Sequence, residues 1–241
     1  TVNRLCASGL AALIDAARAI SCGEGEVILA GGVESMSRAP FVFAKSETSF
    51  SRDLKVFDST IGARFPNPAI EKQFGDDTMP KTGDNVAVEY GVTREDADRF
   101  AAASQARYEA AKQASFFAGE IVGVEVSQGR KLSPKLVEID EHPRPSSDFV
   151  ALQKLKPLFE GGVVTAGNAS GVNDGAAALI IGSTAAEQKL GIKPMAKILS
   201  SGAAGIEPRI MGAGPVDAIK LALKRANLTL DDMDIIEINE A

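Results

Sequence analysis

The sequence contains few of the residues that characterise disulfide-rich, membrane-spanning or nucleic-acid-binding proteins. It has two cysteines and no tryptophan, and aromatic residues make up 5% of its 241 residues. Two cysteines do not form the disulfide framework of a secreted protein, so we expect a reducing, cytoplasmic location. No apolar run reaches the length of a membrane span. A net charge of −6 argues against a nucleic-acid partner.

The chain nevertheless has the composition of a globular protein. Apolar residues make up 45% of it, which is enough to bury a full core in one large domain or two smaller ones. It starts with Thr1 rather than methionine and its last residues are Asn239-Glu-Ala241. We therefore expect it to be an internal part of a larger enzyme, incomplete at both ends.

The apolar pattern predicts an α/β fold with two βαβ-type halves around a long insertion. An alanine-rich run over 10–20 that stops at Gly23 predicts a helix, and 26–32 reads as a buried strand, so 1–32 resemble a strand, helix and strand. Core character returns in the second half of the chain, where the pattern predicts strands over 176–182, 196–200 and 234–238 and helices over 184–190 and 215–226.

Prolines interrupt the apolar pattern between these halves. One clear amphipathic helix is predicted near 93–115, and the rest of 41–160 is typical of a long loop or lid. The predicted division is therefore 1–40 with 161–190 as the first half, 41–160 as the insertion, and 191–241 as the start of the second half.

Cys6 is the strongest candidate for a catalytic residue. It directly precedes the predicted first helix, where free N–H groups and the positive end of the helix dipole favour a nucleophilic thiolate. Ser8 and Gly9 fit a helix cap and a close backbone approach. The alternative is a buried structural cysteine. Cys22, at the other end of the same helix, has no comparable setting and is expected to be structural.

Four segments in order along the chain resemble motifs of the thiolase family. They are Asn3-Arg-Leu-Cys-Ala-Ser-Gly9 around the nucleophile, Ala30-Gly-Gly-Val-Glu-Ser-Met-Ser37 in the following strand and turn, the coenzyme A loop Val164-Thr-Ala-Gly-Asn-Ala-Ser-Gly-Val-Asn-Asp-Gly175, and Asn239-Glu-Ala241. Within the family, segments such as Arg38-Ala-Pro-Phe-Val42 and Phe57-Asp-Ser-Thr-Ile-Gly62 look most like the 3-oxoadipyl-CoA branch.

The resemblance implies a thiolase-like α/β fold and a ping-pong acyl transfer. Cys6 would attack the 3-keto carbon of a 3-oxoacyl-CoA, acetyl-CoA would leave, and free CoA would accept the acyl group, or the reverse condensation would run. Asn239 matches the residue that holds a water in the oxyanion hole of the family. CoA is then a substrate, with no tightly bound cofactor and no metal.

Four further residues are assigned to CoA by the same resemblance. Ser170 matches a serine at the pantetheine, Ala166 its backbone neighbour, and Arg144 an arginine against the adenine, where a guanidinium can stack. Met79 matches a methionine near the acyl pocket. Biosynthetic short-chain members usually have histidine before that methionine, whereas this chain has Thr78, which argues against a pure acetoacetyl-CoA synthase.

Two catalytic groups of the family are expected beyond residue 241. These are the histidine of a Gly-His-Pro segment and a second cysteine that protonates the enolate. The single histidine, His142, follows Asp140 and Glu141 and is expected to be a solvated surface group. We therefore expect residues 1–241 alone to be inactive, and the whole protein to form a homodimer or homotetramer.

Several alternatives stay open on the sequence alone. A 3-oxoacyl synthase of the same fold also uses a cysteine at a helix start, although Asn239-Glu-Ala241 favours a thiolase. An acetoacetyl-CoA-forming biosynthetic thiolase is a second alternative. A third is a non-catalytic thiolase-like module that binds CoA or lipid, and a fourth is a structural subunit of a multienzyme complex.

Overall fold

The computed structural model describes residues 1–239, which form helices and strands in mixed order. The helices of these residues are α1 (Ser8–Ser21), α2 (Pro68–Phe74), α3 (Met79–Tyr90), α4 (Arg94–Gln113), α5 (Phe149–Gln153), α6 (Thr184–Leu190) and α7 (Gly214–Ala226). The strands are β1 (Val27–Glu34), β2 (Phe41–Phe43), β3 (Val56–Asp58), β4 (Val124–Val126), β5 (Lys135–Val137) and β6 (Gly175–Gly182). Single 3₁₀ turns lie between them, one of which is Leu5–Ala7.

The described residues divide into two compact units. The first unit contains 1–76 and 172–239, and the second contains 77–171. The predicted three-part division of the chain stays a prediction.

The first unit is built on an antiparallel pair formed by β1 and β6. All eight residues of each strand pair, from Val27 opposite Gly182 to Glu34 opposite Gly175. Gly31 is required here, because a Cβ at this position would collide with the carbonyl oxygen of Ala177. Helix α1 packs against β1, and the small side chains of Ala11 and Ala30 are buried in this unit.

The end of this strand pair is fixed by a serine and an aspartate. Ser37 donates to the Asp174 carboxylate from its hydroxyl at 2.6 Å and from its backbone N–H at 2.9 Å. These hydrogen bonds hold the pKa of Asp174 below its ordinary value. They connect the turn after β1 to the residue that precedes β6.

Three predicted strands of the first unit are wrong. Residues 1–4 form no strand. At the end of this segment the Arg4 N–H donates to Ser8 Oγ at 2.8 Å and the Leu5 N–H to Asn3 Oδ1 at 3.0 Å, so local side chains bond these two groups. Within residues 1–239, no strand pairing involves 196–200 or 234–238.

Residues 196–202 are held by helix α7 instead of by a neighbouring strand. Ser200 Oγ donates to the carbonyl of Ala222 at 2.7 Å, and Arg225 Nη1 donates to the carbonyl of Ser201 at 2.7 Å. The predicted helices over 10–20, 184–190 and 215–226 are confirmed by α1, α6 and α7.

The second unit is mainly helical around a long loop. Helix α4 confirms the helix predicted near 93–115, and it begins with a capping box in which Thr93 and Asp96 satisfy each other's backbone N–H groups. Helix α3 precedes it and ends at Gly91, whose φ is 67°. The hairpin β4–β5 and the short α5 complete this unit.

Candidate active site

Cys6 lies in the tight turn Leu5–Ala7, which leads directly into α1. Its side chain is exposed, so the structure does not support a buried structural cysteine. The N-cap of α1 is Ala7, whose side chain carries no polar group to occupy the first N–H groups of the helix. The thiol therefore lies next to the N-terminal end of a 14-residue helix.

The backbone before Cys6 is held in a strained conformation. Leu5 has a φ of 51°, a left-handed value that costs a leucine roughly 1–2 kcal/mol. Three local hydrogen bonds hold it there: Asn3 Oδ1 accepts from the Leu5 N–H at 3.0 Å, and Ser8 Oγ accepts from the Arg4 N–H at 2.8 Å and donates to the Leu5 carbonyl at 2.7 Å. Strain of this kind is concentrated at functional sites.

Two details of the predicted Cys6 setting are corrected by the structure. Ser8 is the first residue of α1 rather than its cap, and its hydroxyl fixes the turn that carries Cys6. A Cβ on Gly9 would meet no atom within 4 Å, so no close backbone approach requires glycine among the described residues.

Asn239 is also in the first unit, at the end of the described residues. It is exposed and ends a stretch, 235–239, without regular secondary structure. Glu240 and Ala241, which complete the motif, lie outside the described residues. Its role in an oxyanion hole stays a prediction.

The glycine-rich loop of the second unit exposes two of its predicted CoA residues. Ala166 and Ser170 are exposed, whereas Thr165, which directly precedes Ala166, is fully buried. Thr165 Oγ1 accepts hydrogen bonds from the N–H groups of Gly167 and Asn168 at 3.2 and 3.3 Å. The loop thus turns sharply at a buried hydroxyl and presents the neighbouring residues to solvent.

Two buried carboxylates that hold this loop were missed by the sequence analysis. Asp84 of α3 accepts from the N–H groups of Val163 and Val164 at 2.8 and 3.0 Å. Asp98 of α4 accepts from Asn168 Nδ2 at 3.0 Å. For Asp98 the available signal was Arg94, one turn earlier on the predicted amphipathic helix. No comparable signal marked Asp84, because its helix was not predicted.

The remaining CoA candidates also belong to the second unit. Arg144 is exposed, and its backbone N–H donates to Gln105 Oε1 at 2.8 Å. Met79 is the first residue of α3 and its side chain is 47% exposed. His142 is exposed, as expected, and its imidazole packs against Gly171 at the end of the glycine-rich loop.

The structure therefore assigns the six predicted site residues to two groups. Cys6 and Asn239 belong to the first unit, and Met79, Arg144, Ala166 and Ser170 belong to the second. Across residues 1–239, no cluster of three or more histidine, cysteine, aspartate or glutamate side chains is arranged to hold a metal ion. Nor does any helix in that range have the length and apolarity to cross a membrane.

Known proteins match this chain along its whole length. Residues 1–185 match the family model described as the thiolase N-terminal domain, and 192–241 match the thiolase C-terminal domain. The chain is 55% identical to a beta-ketoadipyl-CoA thiolase of Acinetobacter baylyi and 41% identical to an acetyl-CoA acetyltransferase of Allochromatium vinosum. All of this chain is covered in both matches, but it spans 60% of the length of either relative.

A solved structure shows the same fold. The crystal structure of human mitochondrial 3-ketoacyl-CoA thiolase in complex with CoA superposes with a TM-score of 0.86 at 42% identity, covering 100% of this chain and 59% of that one. The α/β fold expected from the motifs is thereby confirmed. The chain belongs to the thiolase family.

Proposed function

We propose that the protein is an acyltransferase that cleaves a 3-oxoacyl-CoA with CoA, or catalyses the reverse condensation, through an acyl thioester on Cys6. The observation that carries this proposal is the exposed Cys6 thiol at the start of α1, on a turn held in a strained conformation. An accessible thiolate at a helix N-terminus is the nucleophile that acyl transfer to sulfur requires.

The first half-reaction forms the covalent intermediate. The Cys6 thiolate attacks the 3-keto carbon, and the tetrahedral oxyanion collapses with cleavage of the C2–C3 bond. The electron pair of that bond passes to the leaving acetyl-CoA as its enolate, which takes a proton at C2. The acyl group remains on the Cys6 sulfur, and Asn239 is proposed to hold the water that stabilises the oxyanion.

The second half-reaction returns the enzyme to its starting state. The CoA thiol gives up a proton, which replaces the one delivered to the enolate in the first half-reaction, and its sulfur attacks the acyl-Cys6 carbonyl. The new thioester forms as the Cys6 thiolate leaves. Ala166 and Ser170 are proposed to contact the pantetheine, Arg144 the adenine and Met79 the acyl chain. Exposure of Ala166, Ser170 and Arg144 supports this assignment, because each side chain is accessible to a ligand.

A 3-oxoadipyl-CoA type of substrate is proposed over acetoacetyl-CoA. The chain is 55% identical to the beta-ketoadipyl-CoA thiolase of Acinetobacter baylyi and 41% identical to the acetyl-CoA acetyltransferase of Allochromatium vinosum. Thr78 before Met79 supports the same choice. The cytoplasmic location and the homodimeric or homotetrameric state stay predictions.

Steady-state thiolysis by the whole protein tests this function. We expect higher kcat/KM with 3-oxoadipyl-CoA than with acetoacetyl-CoA, and a loss of about 10⁴-fold or more in Cys6→Ala because the covalent route is removed. Cys22→Ala is the matched control, since Cys22 is also exposed and caps the other end of α1, and its activity should be unchanged. A folded protein that binds CoA but leaves both substrates intact would contradict the proposal and favour a CoA-binding module.

A further inference from the structure

Asn168 is the central connection of the glycine-rich loop. Its Oδ1 accepts from the Thr165 N–H at 2.7 Å, and its Nδ2 donates to the Val163 carbonyl at 2.9 Å. The backbone N–H of Asn168 donates to Thr165 Oγ1. One side chain thus joins both ends of the turn 163–168, which contains the exposed Ala166.

Asp98 determines the orientation of the Asn168 amide. The side chain of Asp98 is fully buried, and its Oδ1 accepts from Asn168 Nδ2 at 3.0 Å. A carboxylate only accepts hydrogen bonds, so it selects the NH₂ end of the amide and turns the oxygen towards the Thr165 N–H. An amide oriented the other way would place two acceptors against each other at Asp98 and two donors against each other at Thr165.

Arg94 holds the buried Asp98 carboxylate in place. Arg94 Nε donates to Asp98 Oδ2 at 2.7 Å, and Arg94 Nη2 donates to the carbonyls of Leu152 and Leu155 at 2.8 and 2.9 Å. The guanidinium is therefore held by hydrogen bonds along two edges and cannot turn away without losing those to the carboxylate and to both carbonyls. The loop has little space to adjust, because a Cβ on Gly167 would collide with Leu155.

We infer that Asn168, oriented by Asp98, is a positioning residue that holds the turn 163–168 in the shape that presents Ala166 and Ser170 to the pantetheine of CoA. The inference rests on the proposed function, because it concerns the affinity of the same CoA loop. Asn168 itself does not touch the substrate. It acts through the loop backbone, whose N–H and carbonyl groups it fixes.

The test exchanges the amide and the carboxylate between positions 168 and 98 of the whole protein, first one at a time and then together. Asn168→Asp removes the Nδ2 donor and places a second carboxylate against Asp98, so Kd and KM for CoA should rise about tenfold or more. Asp98→Asn is the milder variant, because it keeps size and removes one charge, and it should raise both values less. In the double variant Asn168→Asp with Asp98→Asn, the new amide can donate to the new carboxylate, but the Val163 carbonyl still loses its donor, so part of the CoA affinity should return.

The kcat at saturating CoA and the stability separate positioning from folding. A positioning role predicts a kcat within about threefold of wild type while KM rises. Asp96→Asn is the control on the same helix: it weakens the capping box and should lower the melting temperature without changing Kd for CoA. Titration calorimetry with CoA and thermal unfolding provide these readouts.

The outcomes distinguish this inference from the proposed function. Wild-type protein that does not bind CoA contradicts the proposed function. Wild-type protein that binds CoA, with Asp98→Asn and the double variant binding equally well, contradicts the role of Asn168 and Asp98 alone. A double variant that binds CoA more weakly than either single variant would also overturn the inference, because the two side chains would not be acting on each other.

Discussion

At the residue scale, Cys6, the proposed nucleophile, is positioned by a turn whose conformation opposes the preference of its own sequence. Leucine is disfavoured at a φ of 51°, yet Leu5 adopts it because Asn3 and Ser8 satisfy the backbone groups on both sides. These short polar side chains thus stabilise the strained conformation. Their effect is to place Cys6 immediately before the N-cap of α1.

Ser8 is expected to control the reactivity of Cys6. Ser8→Ala removes the acceptor for the Arg4 N–H and the donor for the Leu5 carbonyl. The turn should therefore relax, and Cys6 should no longer be held next to the N-terminal end of α1. We expect the rate of Cys6 alkylation at pH 7 to fall about three- to tenfold, with a stability loss of about 1 kcal/mol.

Ser21→Ala is the matched control for this substitution. Ser21 lies in the last turn of α1 and its hydroxyl donates to the Ala17 carbonyl at 2.8 Å, so its loss removes a similar hydrogen bond away from the thiol. Alkylation of Cys6 should proceed at the wild-type rate. Equal alkylation rates in Ser8→Ala and wild type would show that the turn does not activate the thiol.

From the sequence, candidate site residues could be named, but the contacts around them could not be described. Cys6 could be found because a cysteine before an alanine-rich helix has a recognisable chemical setting. The roles of Asp98 and Asn168 could not, because they depend on contacts between residues 70 positions apart, and a buried aspartate reads as surface charge until its partners are known.

At the element scale, the long helices with an apolar face were predicted, whereas α2, α3 and α5 lie in a segment predicted to be mainly loop, and three predicted strands were wrong. Helices α1, α4, α6 and α7 have regular periodicity and clear ends, and their hydrogen bonds are local. A strand forms only where a second strand pairs with it. Residues 27–34 pair with β6, whereas Ser200 of the segment 196–200 is hydrogen-bonded to helix α7. Helix α3 was missed because its buried face includes Thr82 and Asp84, which breaks the apolar pattern.

The pairing of β1 with β6 depends on the absence of a side chain at Gly31. Gly31→Ala would drive a Cβ into the backbone of Ala177, which cannot move without disturbing the ladder. We expect a loss of about 1–3 kcal/mol in the free energy of unfolding of the whole protein, measured by urea denaturation.

The adjacent glycine provides the control for this prediction. A Cβ on Gly32 would meet no atom within 4 Å, so Gly32→Ala adds the same methyl group to the same strand without a collision. Its stability should stay within about 0.5 kcal/mol of wild type. Equal losses in both variants would indicate that strand propensity, rather than the Gly31–Ala177 approach, explains the effect.

At the scale of the whole molecule, the chain supplies recognisable parts of a thiolase rather than a complete set. It spans 60% of the length of its beta-ketoadipyl-CoA thiolase relative in Acinetobacter baylyi. Its single histidine, His142, is exposed beside Gly171 in the second unit and is not assigned as the catalytic base. Activity is therefore to be measured on the whole protein, with substitutions made at the described residues.

Intact-mass analysis after brief exposure to 3-oxoadipyl-CoA, followed by peptide mapping, tests the central claim most directly. The account predicts one added acyl group, located on the peptide that contains Cys6, absent from Cys6→Ala, retained in Cys22→Ala, and released by free CoA. An adduct on another residue, or complete turnover of the substrate by Cys6→Ala, would contradict the claim that Cys6 carries the acyl group.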